Sequence, residues 1–325
     1  MKKWMKTIAA TMALTMVMTG CGGASDASAD DAAGKYTVGI VQQLEHPALD
    51  AATLGFQEKL TELLDGNVTF DYQNAQGEQT NCTTIATKFV SDGVDLIMAN
   101  ATTALQSAAA ATADIPIVGT SVTDYVTAGV VDSNEAPGRN VTGASDLAPI
   151  DEQIAMLTEL VPDAQKVGIV YCSAEPNSIY QSKLAQAELD KAGIAWAEYT
   201  AADSNEVQAV VTKAVSECDV LYVPTDNTMA NNTEIIKNVA VPAGVPVIAG
   251  EEGICSGCGV ATLSISYYDL GVKAAEMAYE ILVNGANPAE MPIAYVSEGI
   301  TEKYNAEIAE ALQIVIPEGM VAIGE

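Results

Sequence analysis

KYTVGIVQQLEHPALDAATLGFQEKL, residues 35–60, decides the fold, because the chain states its pattern twice. Val38-Gly39-Ile40-Val41 returns as Val167-Gly168-Ile169-Val170, and Pro47 returns as Pro176 at the same offset. Each proline leads into an amphipathic run. Further on, Asp95-Leu96-Ile97-Met98 followed by Ala101-Thr102-Thr103 is matched by Asp219-Val220-Leu221-Tyr222 followed by Thr225-Asp226-Asn227. Both halves then reach a proline-led apolar stretch, Ile115-Pro116-Ile117-Val118-Gly119 and Val245-Pro246-Val247-Ile248-Ala249. Strands separated by helices in this order form a parallel sheet covered on both faces. Two similar doubly wound α/β lobes are therefore expected, with a cleft between two rows of strand ends.

The periodicity predicts strands over 36–41, 68–72, 94–99 and 115–119 and helices over 47–64, 78–91 and 102–113. In the second half it predicts helices over 150–160, 178–192, 204–216 and 228–239, and strands over 166–171, 194–199, 219–223 and 245–249. The polar stretch 132–146 reads as the crossover between repeats. A return over 259–265, a helix over 268–283, a strand over 292–296 and a last helix over 301–312 complete the chain. These give a first lobe of 36–146 plus 262–291 and a second of 147–261 plus 292–325.

Residues 1–21 stand apart from the folded chain. Lys2, Lys3 and Lys6 precede an apolar run over 8–18, which has the length of a signal peptide and is too short to span a bilayer. Val17-Met18-Thr19-Gly20-Cys21 resembles a bacterial lipobox, with Met18 where leucine is usual. That resemblance implies cleavage before Cys21, diacylation of that cysteine with palmitate-type chains, and a lipid-anchored protein on the extracytoplasmic face of the cell membrane. Residues 22–35 are small and acidic, a flexible tether. The 14 basic and 43 acidic residues give a net charge of −29, which excludes nucleic acid as a partner because phosphate binding needs clustered Lys and Arg. Beyond Cys21 lie Cys82, Cys172, Cys218, Cys255 and Cys258. A single Cys255-Ser-Gly-Cys258 pair in a glycine-rich turn, with the sole histidine remote in sequence, reads as a local disulfide or free thiols and not as a metal site.

Ligands of open α/β sheets sit beyond the carboxyl ends of the strands, where helix N–H groups are unpaired. The loops at those positions are 42–47, 74–78, 100–103 and 120–124 in one lobe and 173–178, 224–228 and 250–253 in the other; none contains Lys or Arg. Thr102-Thr103 and Ser121-Val122-Thr123 suit a ligand carboxylate, though hydroxyls there also serve as helix caps. Asp226 mirrors Thr102 and is acidic, as an ammonium partner should be; it too would serve as a cap. Glu175 and Glu251-Glu252 add negative field; binding a cation and plain surface solvation are the alternative readings of these acids. His46, with no nucleophile near it, reads as a pocket wall or hydrogen-bonding group. There is no GxSxG, GxxxxGK[ST], GxGxxG or HExxH, so neither an enzyme nor a cofactor is indicated.

Lipobox, duplicated lobe, the Pro137-Gly138-Arg139-Asn140-Val141-Thr142-Gly143 crossover and the return helices together resemble the substrate-binding lipoproteins of ABC importers. Within them the chain is similar to the family with tryptophan- and tyrosine-binding members. The match is carried by Gln43 with His46-Pro47-Ala48-Leu49-Asp50, Ala101-Thr102-Thr103, Gly119-Thr120-Ser121-Val122-Thr123 and Pro224-Thr225-Asp226-Asn227. The resemblance implies a type I periplasmic-binding fold, three crossovers, hinge closure over an amino acid, a monomer, and permease subunits as partners. The expected ligand-binding set is Gln43, His46, Pro47, Asn74, Ala101, Thr102, Thr103, Ser121, Val122, Thr123, Ser173, Glu175, Asn177, Ser178, Thr225, Asp226, Asn227 and Glu251. A sugar or nucleoside-like solute is the competing ligand class, and a sensory ectodomain partner or extracellular enzyme the competing function. Sugar sites stack rings on aromatics, and Trp196 falls on a strand instead of a loop. If Cys21 carries the lipid, Cys21→Ser should move the protein from the membrane to the soluble fraction with binding intact; a membrane-bound variant would place the anchor elsewhere.

Overall fold

The computed structural model describes residues 35–296 and 300–324; the leader, Cys21 and the tether up to Gly34 lie outside the described residues. The first lobe is built from β1 (Tyr36–Gln42), α1 (Pro47–Leu63), β2 (Val68–Asn74), α2 (Gln79–Asp92), β3 (Leu96–Asn100), α3 (Thr102–Ala111), β4 (Ile117–Val122) and β5 (Val141–Ser145). The second contains α4 (Ile150–Leu160), β6 (Lys166–Cys172), α5 (Pro176–Ala192), β7 (Ala195–Ala201), α6 (Val207–Glu217) and β8 (Val220–Val223). It continues through α7 (Asn227–Ala230), α8 (Thr233–Ala243), β9 (Val247–Ala249), α9 (Glu252–Cys258) and β10 (Ala261–Ser264). The chain then returns as α10 (Tyr267–Leu282) and β11 (Ala294–Tyr295), and ends with β12 (Thr301–Tyr304), α11 (Ala306–Leu312) and β13 (Val321–Ala322).

The first sheet runs β11-β5-β4-β3-β1-β2 and is parallel throughout. The second runs β13-β12-β10-β9-β8-β6-β7, with β12 antiparallel to β10. The central strands are buried on both faces, which is why β1, β3, β6 and β8 read as continuous apolar runs. In the first lobe Phe89 of α2 and Leu105 of α3 cover one face, while Phe56 and Leu60 of α1 and Ala274 and Met277 of α10 cover the other. In the second, Leu157 of α4 and Leu189 of α5 lie on one face, and Val211 of α6 and Ile236 of α8 on the other. The doubly wound pair expected from the repeat is what the chain forms.

Several boundaries differ from expectation, each for a physical reason. Val141–Ser145 is not crossover but β5, fully buried; its small residues and Gly143 carry no strand signature, and burial against β4 makes the strand. Ala261–Ser264 pairs in the second sheet, so the return to the first lobe begins with α10 and not at 262. Ala294–Tyr295 pairs with β5 in the first sheet, although 292–325 was assigned to the second lobe. Residues 301–304 are a strand, and only 306–312 are helical, because Asn305 caps α11 through Ile308 N–H and ends the ladder. The expected helix 228–239 is two helices interrupted at Asn231 and Asn232. The Cys255-Ser-Gly-Cys258 turn is helix α9, and both thiols are free and buried.

The chain crosses between sheets after β5, between β10 and α10, and between β11 and β12. The second crossing is held by backbone-to-backbone packing of α1 on α10. A Cβ on Gly55 would strike the carbonyl oxygen of Tyr268, and one on Gly271 would strike that of Ala52. Any side chain at either position must push the helices apart. Gly271→Ala should therefore lower stability by about 1–3 kcal/mol, the usual cost of overpacking, in a denaturant titration; unchanged stability would show that the helices have room to separate.

Candidate functional site

On the first lobe the site begins with the loop after β1. The Gln42 amide donates to Leu44 O (2.9 Å) and Asp50 Oδ1 (2.6 Å) and accepts from the Thr53 hydroxyl (2.6 Å). Asn100 at the end of β3 donates to Leu49 O (2.8 Å) and Thr53 Oγ1 (3.0 Å). This buried network ties the loop to α1 and fixes His46, the extended residue before Pro47. Beside it the backbone is strained. Ala101, before α3, has φ 86° and ψ 160°, a region essentially reserved for glycine, and Ser121 has φ 56°. The two are neighbours through Ala101 N–H to Thr120 O (3.0 Å). Such strain costs of order 1–3 kcal/mol per residue and concentrates at binding sites.

The second lobe supplies carboxylates held by donors. Asp226 caps α7 through Met229 N–H (2.8 Å) and accepts from Cys172 N–H (2.6 Å) and the Ser178 hydroxyl (2.7 Å). Glu175 accepts from Thr228 N–H (2.8 Å) and hydroxyl (2.7 Å), and from Asn227 N–H (3.1 Å) and side-chain amide (2.8 Å). Glu251 caps α9 through Gly253 N–H (2.6 Å) and Ile254 N–H (2.5 Å). A fourth acid, Asp146, lies just after β5 and accepts from Thr123 (3.0 Å) and Tyr267 (2.9 Å) hydroxyls. All four are at most 4% exposed. Burial pushes the Asp226 carboxyl up to about 8, helped by the charge of Glu175 and opposed by its donors. Burial likewise raises Asp146 against the Tyr267 and Thr123 hydroxyls, and Glu251 against His46 and its own helix N–H groups.

The lobes meet where His46 Nε2 lies 3.1 Å from Asn227 Oδ1 and the Gln181 amide approaches Thr123 Oγ1 at 3.5 Å. Between them is a small space of about 10 Å³, room for about a single water. His46, Ser121, Asn177, Thr225, Asp226, Asn227 and Glu251 of the expected set line it. Leu49, Asp146 and Tyr267 line it too. Gln43, Thr103 and Glu175 line instead the larger outer cleft between the lobes. Pro47 faces a separate recess near Ser266 and Tyr268. Thr123 and Ser178 support the site through Asp146 and Asp226, and Thr102 is buried at the start of α3 beside the strained Ala101. The Val122 side chain belongs to the apolar core. Asn74 closes a turn onto Gln76 N–H, and exposed Ser173 donates to Ala201 O (3.3 Å); neither lines the cavity.

Asp146, Tyr267 and Gln181 were missed in the sequence. Asp146 ends the polar stretch that reads as the crossover, and Tyr267 opens a return helix that carries no loop signal. Gln181 was findable: it stands one helical turn after Asn177, on the same face of α5. Its amide donates to Thr225 O (2.9 Å) and its carbonyl accepts from Thr225 N–H (3.2 Å). Trp196 donates to Asp190 (2.8 Å) on the outer strand of the second sheet and does not line the cavity. Among the described residues no group of three or more His, Cys, Asp or Glu is placed to hold a metal ion, and no helix is long and apolar enough to cross a membrane.

The sequence model of the family described as ABC transporter substrate binding protein matches residues 37–324. A tyrosine-binding protein of Clostridioides difficile is 39% identical over 306 residues, covering 91% of this chain and 88% of that protein. Among solved structures, an ABC domain in complex with L-Trp from Streptococcus pneumoniae superposes with a TM-score of 0.86 at 32% identity, over 89% of this chain and all of that one. A ligand-free, open substrate-binding protein with adhesive properties from Clostridium difficile gives 0.69 at 38% identity, over 89% of this chain and 99% of that one.

The raised carboxyls set a sign for pH dependence. The folded protein keeps a proton on Asp226 that the unfolded chain gives up near its ordinary value of 3.8. Stability of the ligand-free protein should therefore fall as pH rises from about 4 to about 8, by up to about 1.4 kcal/mol per pH unit for each such group. Urea titrations across that range should show the slope, and Asp226→Asn should flatten it. A variant with the wild-type slope would mean that Asp226 is ionised throughout.

Proposed function

The chain belongs to the ABC transporter substrate binding protein family, and from that premise we propose that it captures an aromatic amino acid between its lobes and delivers it to a permease. Proteins of this family act on the extracytoplasmic side of the membrane. The observation that carries the ligand class is the imbalance of charge in the closed cavity. Asp146, Asp226 and Glu251 face it, Glu175 stands behind Asn227, and no Lys or Arg lines it. Buried carboxylates without a cation are costly even when hydrogen-bonded. A ligand ammonium supplies the missing charge, and in a dry site the contact is far stronger than at a surface. Across the cavity, the Ser121 hydroxyl has no partner. With the start of α3 beside it, it suits the ligand carboxylate. Leu49, Ala230 and the Tyr267 ring offer apolar wall for a side chain.

The relatives support the aromatic class, since one is a tyrosine-binding protein and another was solved with L-Trp. They also support hinge closure as the working motion. The less identical L-Trp complex superposes better than the more identical open, ligand-free structure, as expected of lobes that are shut here and move as rigid bodies. Binding and delivery, not catalysis, is the role proposed, with the chain anchored as a monomer through a lipid on Cys21.

Calorimetric titration with tyrosine, tryptophan and phenylalanine, against glucose, myo-inositol and adenosine, tests the ligand class. An aromatic amino acid should saturate the protein, its N-acetyl derivative should bind on the order of 100-fold or more weakly for loss of the ammonium, and protons should be released on binding as the buried acids ionise. Saturation by a sugar or nucleoside, with none by amino acids, would overturn the proposal.

A further inference from the structure

Glu175 sets a chain of hydrogen-bond directions that ends in the cavity. A carboxylate only accepts, so the Asn227 amide must turn its NH₂ toward Glu175 Oε2 (2.8 Å). Asn227 Oδ1 is thereby turned toward His46 Nε2 (3.1 Å). The neutral imidazole then carries its proton on Nε2, and Nδ1 is left as a bare acceptor. Nδ1 is buried and has no partner. The same logic applies to Asn177. Its NH₂ faces the Thr225 carbonyl (3.1 Å) and the Glu175 carboxylate (3.4 Å), both acceptors only. Its Oδ1 is therefore a second bare acceptor, also buried and without a partner. Both residues line the ligand cavity, one from each lobe, and both are more than nine-tenths buried.

Two neutral acceptors left unpaired inside a closed cavity cost free energy that a ligand donor recovers. The ammonium is served by the carboxylates, which attract a cation more strongly than a carbonyl or an imidazole does. The neutral acceptors are matched to a neutral donor. We infer that His46 and Asn177 select ligands whose aromatic ring carries a hydrogen-bond donor, a phenol O–H or an indole N–H, over ligands whose ring carries none. This rests on the aromatic amino acid reading above and adds the basis of discrimination within it. Sites built to pair a ligand O–H or N–H reject the analogue lacking it far more strongly than an apolar pocket rejects a missing methylene.

The test uses the full-length protein at pH 8. Tyrosine or tryptophan should bind at least about 100-fold more tightly than phenylalanine, and in His46→Phe the ratio should shrink below about tenfold. His46 is the only histidine in the chain, so ¹⁵N NMR of the wild-type ring reads the tautomer even if the variant fails to fold. The ring should be protonated on Nε2, and the Nδ1 resonance should move toward lower frequency with tyrosine or tryptophan but not with phenylalanine. Phenylalanine binding within tenfold of both other ligands, or a proton on Nδ1 of the neutral ring, overturns the inference. If no aromatic amino acid binds at all, the ligand class itself has failed and the selection falls with it; binding without discrimination leaves the ligand class standing.

Discussion

Burying four carboxyl groups with no Lys or Arg beside them is the constraint that organises this structure. Asp146, Glu175, Asp226 and Glu251 are each nearly removed from water and are held by N–H and O–H donors, with His46 opposing burial only at Glu251. Meeting that requirement dictates much of the local architecture. Asp226 and Glu251 become caps of α7 and α9, and Glu175 takes two further N–H groups at the start of α7. Asp146 bridges the first lobe to the helix that returns to it. Removing a donor would leave a buried carboxylate short of a partner, a costlier loss than a surface ion pair. The surface pairs, such as Lys191 with Glu188, contribute little by comparison.

The polar cleft needs rigid lobes around it. On the first lobe, α1 presents His46 at one end and packs its backbone directly on α10 through Gly55 and Gly271. The crossing before α10 therefore leads into a helix that cannot shift without moving His46, which lines the space between the lobes. Asp146 and Tyr267 stand at two of the crossings and share a hydrogen bond, and Thr123 links Asp146 to Gln181 across the lobes. The contact between the lobes and the lining of the cavity thus share the same short chain of side chains.

Charge and hydrogen-bond direction divide the residues around the cavity into separate groups. Carboxyl groups of the second lobe, and Asp146 at the crossing, give the space an acidic lining without Lys or Arg. Ser121, held in a left-handed conformation by its neighbours, offers an unpaired hydroxyl on the first lobe. Orientation of amides by Glu175 leaves unpartnered buried acceptors on residues of both lobes that line the space between. Strain at Ala101 and Ser121 is tolerated because the surrounding strands fix it, and its location at the site fits binding-site pre-organisation.

Much of this was legible in the residues. The repeat of Val38-Gly39-Ile40-Val41 at Val167-Gly168-Ile169-Val170 determined two parallel lobes, because buried parallel strands need long apolar runs and helices between them. Strand ends lacking Lys and Arg determined an acidic cleft, and seven of the expected residues line its cavity. What the sequence could not carry were features defined by partners distant along the chain. Val141–Ser145 is a strand only because β4 and β11 flank it, and Ala261–Ser264 joins the second sheet because β9 and β12 receive it. Asp146 and Tyr267, 121 residues apart, become a site by meeting at the crossings. The direction of the Asn227 amide, and with it the tautomer of His46, follows from a glutamate 52 residues away. Local patterning determines which elements form and which chemistry gathers at their ends. Only tertiary packing decides which atoms are paired and which are left facing the ligand, because hydrogen-bond satisfaction depends on the whole set of neighbours at once.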